Sequence, residues 1–255
     1  MLEIKKLQKS FNLDRDNILV VFEELNLKIK ANTTTAIIGP NGCGKTTLLN
    51  LISGNEKADN GNIILNGIDI TDEAEEKRAV HISRVHQDPS KSVSLNLTVL
   101  ENLALADKKG ESFNLNKLIR KQKKDKYIEI LKSFNIGLEN KINEKVKFLS
   151  GGQRQSLSLI MACMKNPKLL LLDEHTAALD PKASALVLEK TQELIQKNKI
   201  TTLMVSHNIR DALRYSDRMI MLDSGKIVFD RPSLNIKESE IFDIYKEKLK
   251  EKFAS

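Results

Sequence analysis

No stretch of this 255-residue sequence approaches the roughly 20 consecutive apolar residues that a bilayer-spanning helix needs. The opening Met1-Leu2-Glu3-Ile4-Lys5 also lacks the apolar core of a secretory leader, so any membrane role is expected to come from a partner. Cysteine is scarce. Cys43 and Cys163 stand far apart without metal-ligand spacing, which argues against a thiolate metal site and points to a reduced, cytoplasmic protein. The densest basic run, Lys121, Lys123, Lys124 and Lys126, is interrupted by Asp125 and Glu129 and lacks the interleaved aromatics that stack on bases. It reads as the solvated face of a helix, and no nucleic acid partner is expected. Internal repeats and low-complexity tracts are absent as well.

What is present describes a globular protein. Hydrophobic residues make up 40% of the chain and charged residues 29%, enough for one substantial core under a soluble surface. The length suits a single domain with an inserted or appended subdomain. The net charge of +7 favours an anionic ligand, anionic lipid or nucleic acid without choosing among them.

Short runs of alternating or continuous apolar residues predict strands at Leu2 to Leu7, Ile18 to Phe22, Leu25 to Ile29 and Thr35 to Ile38. Asn62 to Leu65 and Ile68 to Ile70 form a hairpin around Asn66-Gly67, a pair suited to the positive dihedrals of a tight turn. An antiparallel sheet is expected from these runs. From about Thr98 to Ala162 the spacing becomes helical, with Val99, Leu100, Leu103 and Leu105 in one piece and Ile128, Leu131, Phe134 and Ile136 in another. Leu169 to Leu172 and Thr201 to Val205 read as strands of a parallel sheet covered on both faces. Met219 to Asp223 and Lys226 to Phe229 form a last hairpin. Ser239 to Phe253 then predicts an amphipathic helix, with Ile241, Phe242, Tyr245, Leu249 and Phe253 on its apolar side, packed on its own domain.

Gly39-Pro40-Asn41-Gly42-Cys43-Gly44-Lys45-Thr46 has the P-loop pattern, lying directly after a predicted strand and before the helical Thr47-Leu48-Leu49-Asn50. Glycines let the backbone wrap around phosphates, while successive N–H groups and a helix N-terminus supply a positive cradle. Lys45 adds a charge for the β- and γ-phosphates, and Thr46 a hydroxyl for Mg²⁺. Cys43 reads as a small residue without a chemical role. Leu169 to Leu172 delivers Asp173 and Glu174 at a strand's carboxyl end, where α/β sheets bind ligands. Asp173 is expected to hold Mg²⁺ through its hydration shell, and Glu174 to polarise an attacking water.

Leu149-Ser150-Gly151-Gly152-Gln153-Arg154-Gln155 resembles the signature of the ATP-binding-cassette (ABC) family. With the P-loop, Gln87, Asp173-Glu174, Ala178-Leu179-Asp180 and His207 in the family's order, the resemblance covers nearly the whole chain. It implies an ATPase using ATP and Mg²⁺, with an α/β fold: a P-loop core on a mostly parallel sheet, an N-terminal antiparallel β subdomain and an inserted helical subdomain. The matching divisions are 1–87, 88–166 and 167–232, followed by a tail over 233–255.

By the same resemblance Phe11 stacks on adenine, and Thr47 joins Gly39 to Thr46 in binding ATP. Gln87 senses Mg²⁺ and the water, and His207 switches on the γ-phosphate. Ser150, Gly151, Gly152 and Gln153 contact the ATP of a partner subunit, and Asp180 lies in a dimer-coupling loop. His175 departs from the family's usual proline, and Ala31-Asn32 from a glycine-containing turn.

The implied assembly is a head-to-tail homodimer, or a pair with a second cassette. It would be peripheral on the inner face of the cell membrane through an integral membrane permease, and served indirectly by a substrate-binding protein. Val99 to Ala106 and Asp173 to Pro181 look most like bacterial amino-acid-type importers, including those proposed for aromatic amino acids. A soluble cassette serving iron–sulfur assembly, translation or repair is the alternative, as is an exporter subunit.

Overall fold

The computed structural model describes residues 1–12, 18–110 and 121–244. In chain order its elements are β1 (Leu2–Phe11), β2 (Leu19–Ile29), β3 (Thr34–Ile38), α1 (Lys45–Ser53), β4 (Asn60–Leu65), β5 (Ile68–Asp69), α2 (Glu75–Arg78) and β6 (Ile82–Val85). There follow α3 (Val99–Asp107), α4 (Lys121–Phe134), α5 (Gly151–Cys163), β7 (Leu169–Asp173), α6 (Pro181–Asn198), β8 (Thr201–Val205), α7 (Ile209–Arg214), β9 (Arg218–Asp223) and β10 (Lys226–Pro232). Among the described residues no helix is long and apolar enough to cross a membrane. The chain divides into two compact units, one of Met1–Ile52, Glu56–Thr71 and Leu203–Ser255, the other of Ser53–Asn55 and Asp72–Thr202.

In the first unit, β2-β1-β4-β5 form an antiparallel sheet. Asn66 and Gly67 turn between β4 and β5 with φ of 51° and 83°, the left-handed dihedrals that a two-residue hairpin requires. A second set of strands runs β10-β9-β3-β8, with β3 parallel to β9 and β10 antiparallel to it. β3 is buried along its whole length, which fits a run of β-branched and small apolar residues inside a covered sheet. The predicted runs at Ile18 to Phe22 and Leu25 to Ile29 prove to be one strand. Glu23 and Glu24 do break the hydrophobic alternation, both being exposed, and they lie at a register shift between the pairs Leu7–Leu25 and Lys9–Phe22, an irregularity that the strand runs through.

In the second unit β6 runs parallel to β7. Leu169, Leu170, Leu171 and Leu172 are wholly buried, each stabilising the fold by about 1.5–3 kcal/mol. The helical spacing after Thr98 resolves into α3, α4 and α5. Thr98 starts α3 with a reciprocal capping box, its hydroxyl accepting from Glu101 N while the Glu101 carboxylate accepts from Thr98 N. That hydrogen bond holds the Glu101 carboxyl below the usual carboxylate range.

α4 stops at Phe134 and leaves Ile136 outside, because Asn135 and Gly137 take left-handed φ of 51° and 76°. Its lysine run is only partly a solvated face, since Lys123 pairs with the buried Asp107, which also accepts from Tyr127 Oη at 3.0 Å. Back in the first unit, a helical segment over 238–244 buries Ile241 and exposes Phe242. Tyr245, Leu249 and Phe253 lie outside the described residues.

Candidate nucleotide site

In the first unit the buried β3 runs straight into the glycine-rich turn and then α1. Gly39 has φ +150°, and a Cβ there would lie 2.0 Å from Leu222 O; Gly44 has φ +103°, and its Cβ would meet the Phe22 ring at 2.8 Å. Only glycine fits at either position. The Lys45 side chain is buried and curls back into the loop, its Nζ donating to Gly39 O at 2.8 Å and Pro40 O at 2.9 Å. Asn41, Gly42 and Thr46 are exposed, Pro40 and Thr47 half-buried. α1 has no acidic residue in its first turn, which leaves its positive end unopposed. Burial pushes the Cys43 thiol up, outweighing the nearby Lys45 charge, so the thiol stays protonated and unreactive at neutral pH.

Two further predicted residues belong to this unit. Phe11 is half-buried at the end of β1, with the Lys9 ammonium 4.8 Å from its ring centroid. His207 is exposed on the loop after β8, beside Asn208, whose side chain caps α7 by accepting from Arg210 N at 3.0 Å. Ser206 N donates to Ile37 O at 3.1 Å and ties that loop to the strand feeding the glycine-rich turn.

The second unit holds the carboxylates. Asp173 ends β7 as a buried residue, and its Oδ2 lies 2.6 Å from Arg84 Nη2. Glu174 follows with φ +47°, a left-handed conformation uncommon for a residue with a side chain. Such strain typically costs about 1–3 kcal/mol and gathers at functional positions. His175 is buried, its Nε2 3.4 Å from Thr191 Oγ1, and burial lowers its pKa to about 4. Gln87 is exposed just past β6, next to His86, whose carbonyl accepts from Gln155 Nε2 at 3.2 Å. This bond anchors the segment carrying Gln87 to α5.

α5 begins with the signature. Ser150 is its N-cap, with Oγ accepting from Gln153 N and the Gln153 side-chain Oε1 accepting from Ser150 N, both at 3.2 Å. A Cβ on Gly152 would come 3.1 Å from Ala183 Cβ, so the glycine admits close approach of α5 to α6. A Cβ on Gly151 would sit 3.5 Å from Leu179, in ordinary contact. Asp180 caps α6, its Oδ1 accepting from Ala183 N at 3.0 Å. The starts of α5 and α6 thus form one packed cluster within this unit.

Among the described residues no group of three or more His, Cys, Asp or Glu side chains could hold a metal ion. The Asp173 carboxylate at the end of β7 suits a hard cation that takes its remaining ligands largely from phosphate and water, as Mg²⁺ does. It does not fit an all-protein cage. Sequence reasoning missed Arg84, whose only local signal is an arginine between Ser83 and Val85 on a short strand.

Residues 22–177 match the ABC transporter family. The chain is 47% identical over 253 residues to a tyrosine transport ATP-binding protein of Clostridioides difficile, covering 99% of this chain and 98% of that protein. It is 34% identical over 230 residues to a spermidine/putrescine import ATP-binding protein of Haemophilus influenzae, spanning 90% of this chain but 57% of that longer relative. Among solved structures, a dimeric ATP-binding cassette in a post-hydrolysis state with ADP and Pi aligns with a TM-score of 0.78 at 28% identity, over 91% of this chain and 99% of that one. A nucleotide-free cassette aligns with a TM-score of 0.78 at 27% identity, over 96% and 95% of the two chains. With a family match over more than half its length and a relative similar from end to end, the chain belongs to the ABC transporter family of ATP-binding proteins.

Proposed function

We propose that this chain is the ATP-hydrolysing subunit of a bacterial importer for a small solute such as an amino acid. The observation that carries the ATPase part is the buried Lys45 ammonium, curled among the carbonyls of a glycine-rich turn at the open start of α1. Phosphate oxygens are stronger acceptors for that ammonium than Gly39 O and Pro40 O, because both partners are then charged. The importer part rests on the likeness to the tyrosine transport protein over nearly its full length.

In this reading the N–H groups from Gly39 to Thr47 and Lys45 bind the β- and γ-phosphates, with Phe11 against the base. Thr46 and Asp173 hold Mg²⁺, with Gln87 beside it; the bound cation supplies charge neutralisation on the phosphates. Glu174 accepts a proton from the attacking water, and His207 donates to the γ-phosphate. Ser150, Gly151, Gly152 and Gln153 face the γ-phosphate of a second cassette, and Asp180 relays closure between the copies. A permease would dock on the helical segment near Gln87 to Leu105 and deliver a solute that reaches it from a binding protein.

Glu174→Gln tests the chemistry. It should keep ATP binding, lose hydrolysis by roughly 10²–10⁴-fold and accumulate a nucleotide-bound dimer; unchanged turnover would remove Glu174 from its role. Used as bait, the same trapped variant should bring down a polytopic membrane protein. Recovery of ribosomes or nucleic acid would place the chain among soluble cassettes.

A further inference from the structure

Arg84 has no part in the roles set out above, yet its Nη2 sits 2.6 Å from Asp173 Oδ2, with both side chains only 11% exposed. The parallel register of β6 and β7 sets Arg84 opposite Leu171, two residues short of Asp173, so a side chain reaching forward along the sheet meets the carboxylate. A buried carboxylate without a counter-charge is strongly unfavourable, and the guanidinium supplies that charge here. A divalent cation on the same carboxylate would sit close to the guanidinium, and like charges in a poorly solvated site repel.

The surroundings give the guanidinium somewhere to go. Arg84 lines a cavity of about 430 Å³, together with Ser83, His86, Lys109 and one carboxylate, Glu75.

We propose that Arg84 stands in for the metal at Asp173: it balances the carboxylate in the metal-free chain and yields it when Mg²⁺ arrives with ATP. Arg84 is then a positioning residue that sets how strongly the cation is held. Loading exchanges one counter-charge for another, so Asp173 never passes through an uncompensated buried state, and release after hydrolysis is eased by the waiting arginine. The inference rests on the reading of Asp173 as a metal-holding residue.

The test uses the full chain with Mn²⁺ as the probe. Affinity for a fluorescent ATP analogue is measured with Mn²⁺ and again with a chelator, and the ratio reports how much the metal helps. In Arg84→Met the ratio should rise on the order of threefold to tenfold, the size expected when one charge a few ångströms away is removed. The metal-free variant should also melt about 5 °C or more below the unsubstituted chain, with Mn²⁺ and ATP restoring most of the difference. Arg84→Lys keeps the positive charge and should fall between the two, which preserves the test if the methionine variant does not fold.

A ratio that falls or stays unchanged overturns the proposal, since the first marks an orienting role and the second a bystander. Asp173→Asn separates the two layers of the argument. If it binds nucleotide with Mn²⁺ as well as the unsubstituted chain does, the reading of Asp173 is wrong; if it loses the Mn²⁺ advantage while Arg84→Met changes nothing, only the stand-in fails.

Discussion

α1 and α5 both begin at a glycine-flanked helix start, and they leave their first turns in opposite states. Neither first turn carries an acid, but at α1 Lys45 rests on loop carbonyls that an anion would displace. At α5 the end is closed on itself: Ser150 and Gln153 satisfy each other's backbone N–H groups, and Gln153 Nε2 also donates to Ile136 O at 3.2 Å. A helix N-terminus attracts anions through its unpaired N–H groups, and the box at α5 takes up two of them, those of Ser150 and Gln153.

Acid should break this comparison from the α5 side. His175 stays neutral in the fold with a pKa of about 4, against an ordinary value of 6.5. The unfolded chain therefore takes up a proton first as pH falls. The stabilisation is complete above about pH 6.5 and is lost progressively down to about pH 4, a change of about 3 kcal/mol. Urea unfolding at pH 7 and pH 5 should show the loss in the second unit, and His175→Gln should flatten it. The first unit's His207 is exposed. A pH slope unaltered by the substitution would trace acid sensitivity elsewhere.

Next in size, Lys45→Ala should weaken nucleotide binding about 30-fold, or about 2 kcal/mol, the scale of a charge-assisted hydrogen bond. Titration with a fluorescent ATP analogue reads this directly. The smallest effect sharpens the contrast. Ser150→Ala removes a cap and should cost about 1 kcal/mol of stability, while nucleotide affinity of the monomer stays level. Equal losses of affinity in the two variants would erase the distinction between open and closed helix starts.

The sequence reading works best where a pattern is local. The P-loop between a buried strand and a helix, the Asn66-Gly67 turn and the apolar β7 run each declare themselves within a few residues. It fails where tertiary pairing decides. Glu23 and Glu24 sit within a strand because the ladder to β1 continues on both sides of them, and no windowed pattern reports that. The ion pair of Arg84 and Asp173 joins residues 89 positions apart. The strained backbone of Glu174 and the neutral burial of His175 likewise depend on packing around the strand end, although His175 itself already stands out by replacing proline. The closed cap at Ser150 was half legible, since serine followed three residues later by glutamine is a capping-box spacing.

In the proposed assembly the open cradle of one copy is completed by the signature of another. Mixing Lys45→Ala with Ser150→Ala chains tests it most directly, because their heterodimer holds one site with an intact P-loop facing an intact signature. Each variant alone should be nearly inactive, and ATP hydrolysis should reappear on mixing. A mixture no more active than the sum of its parts would contradict shared sites.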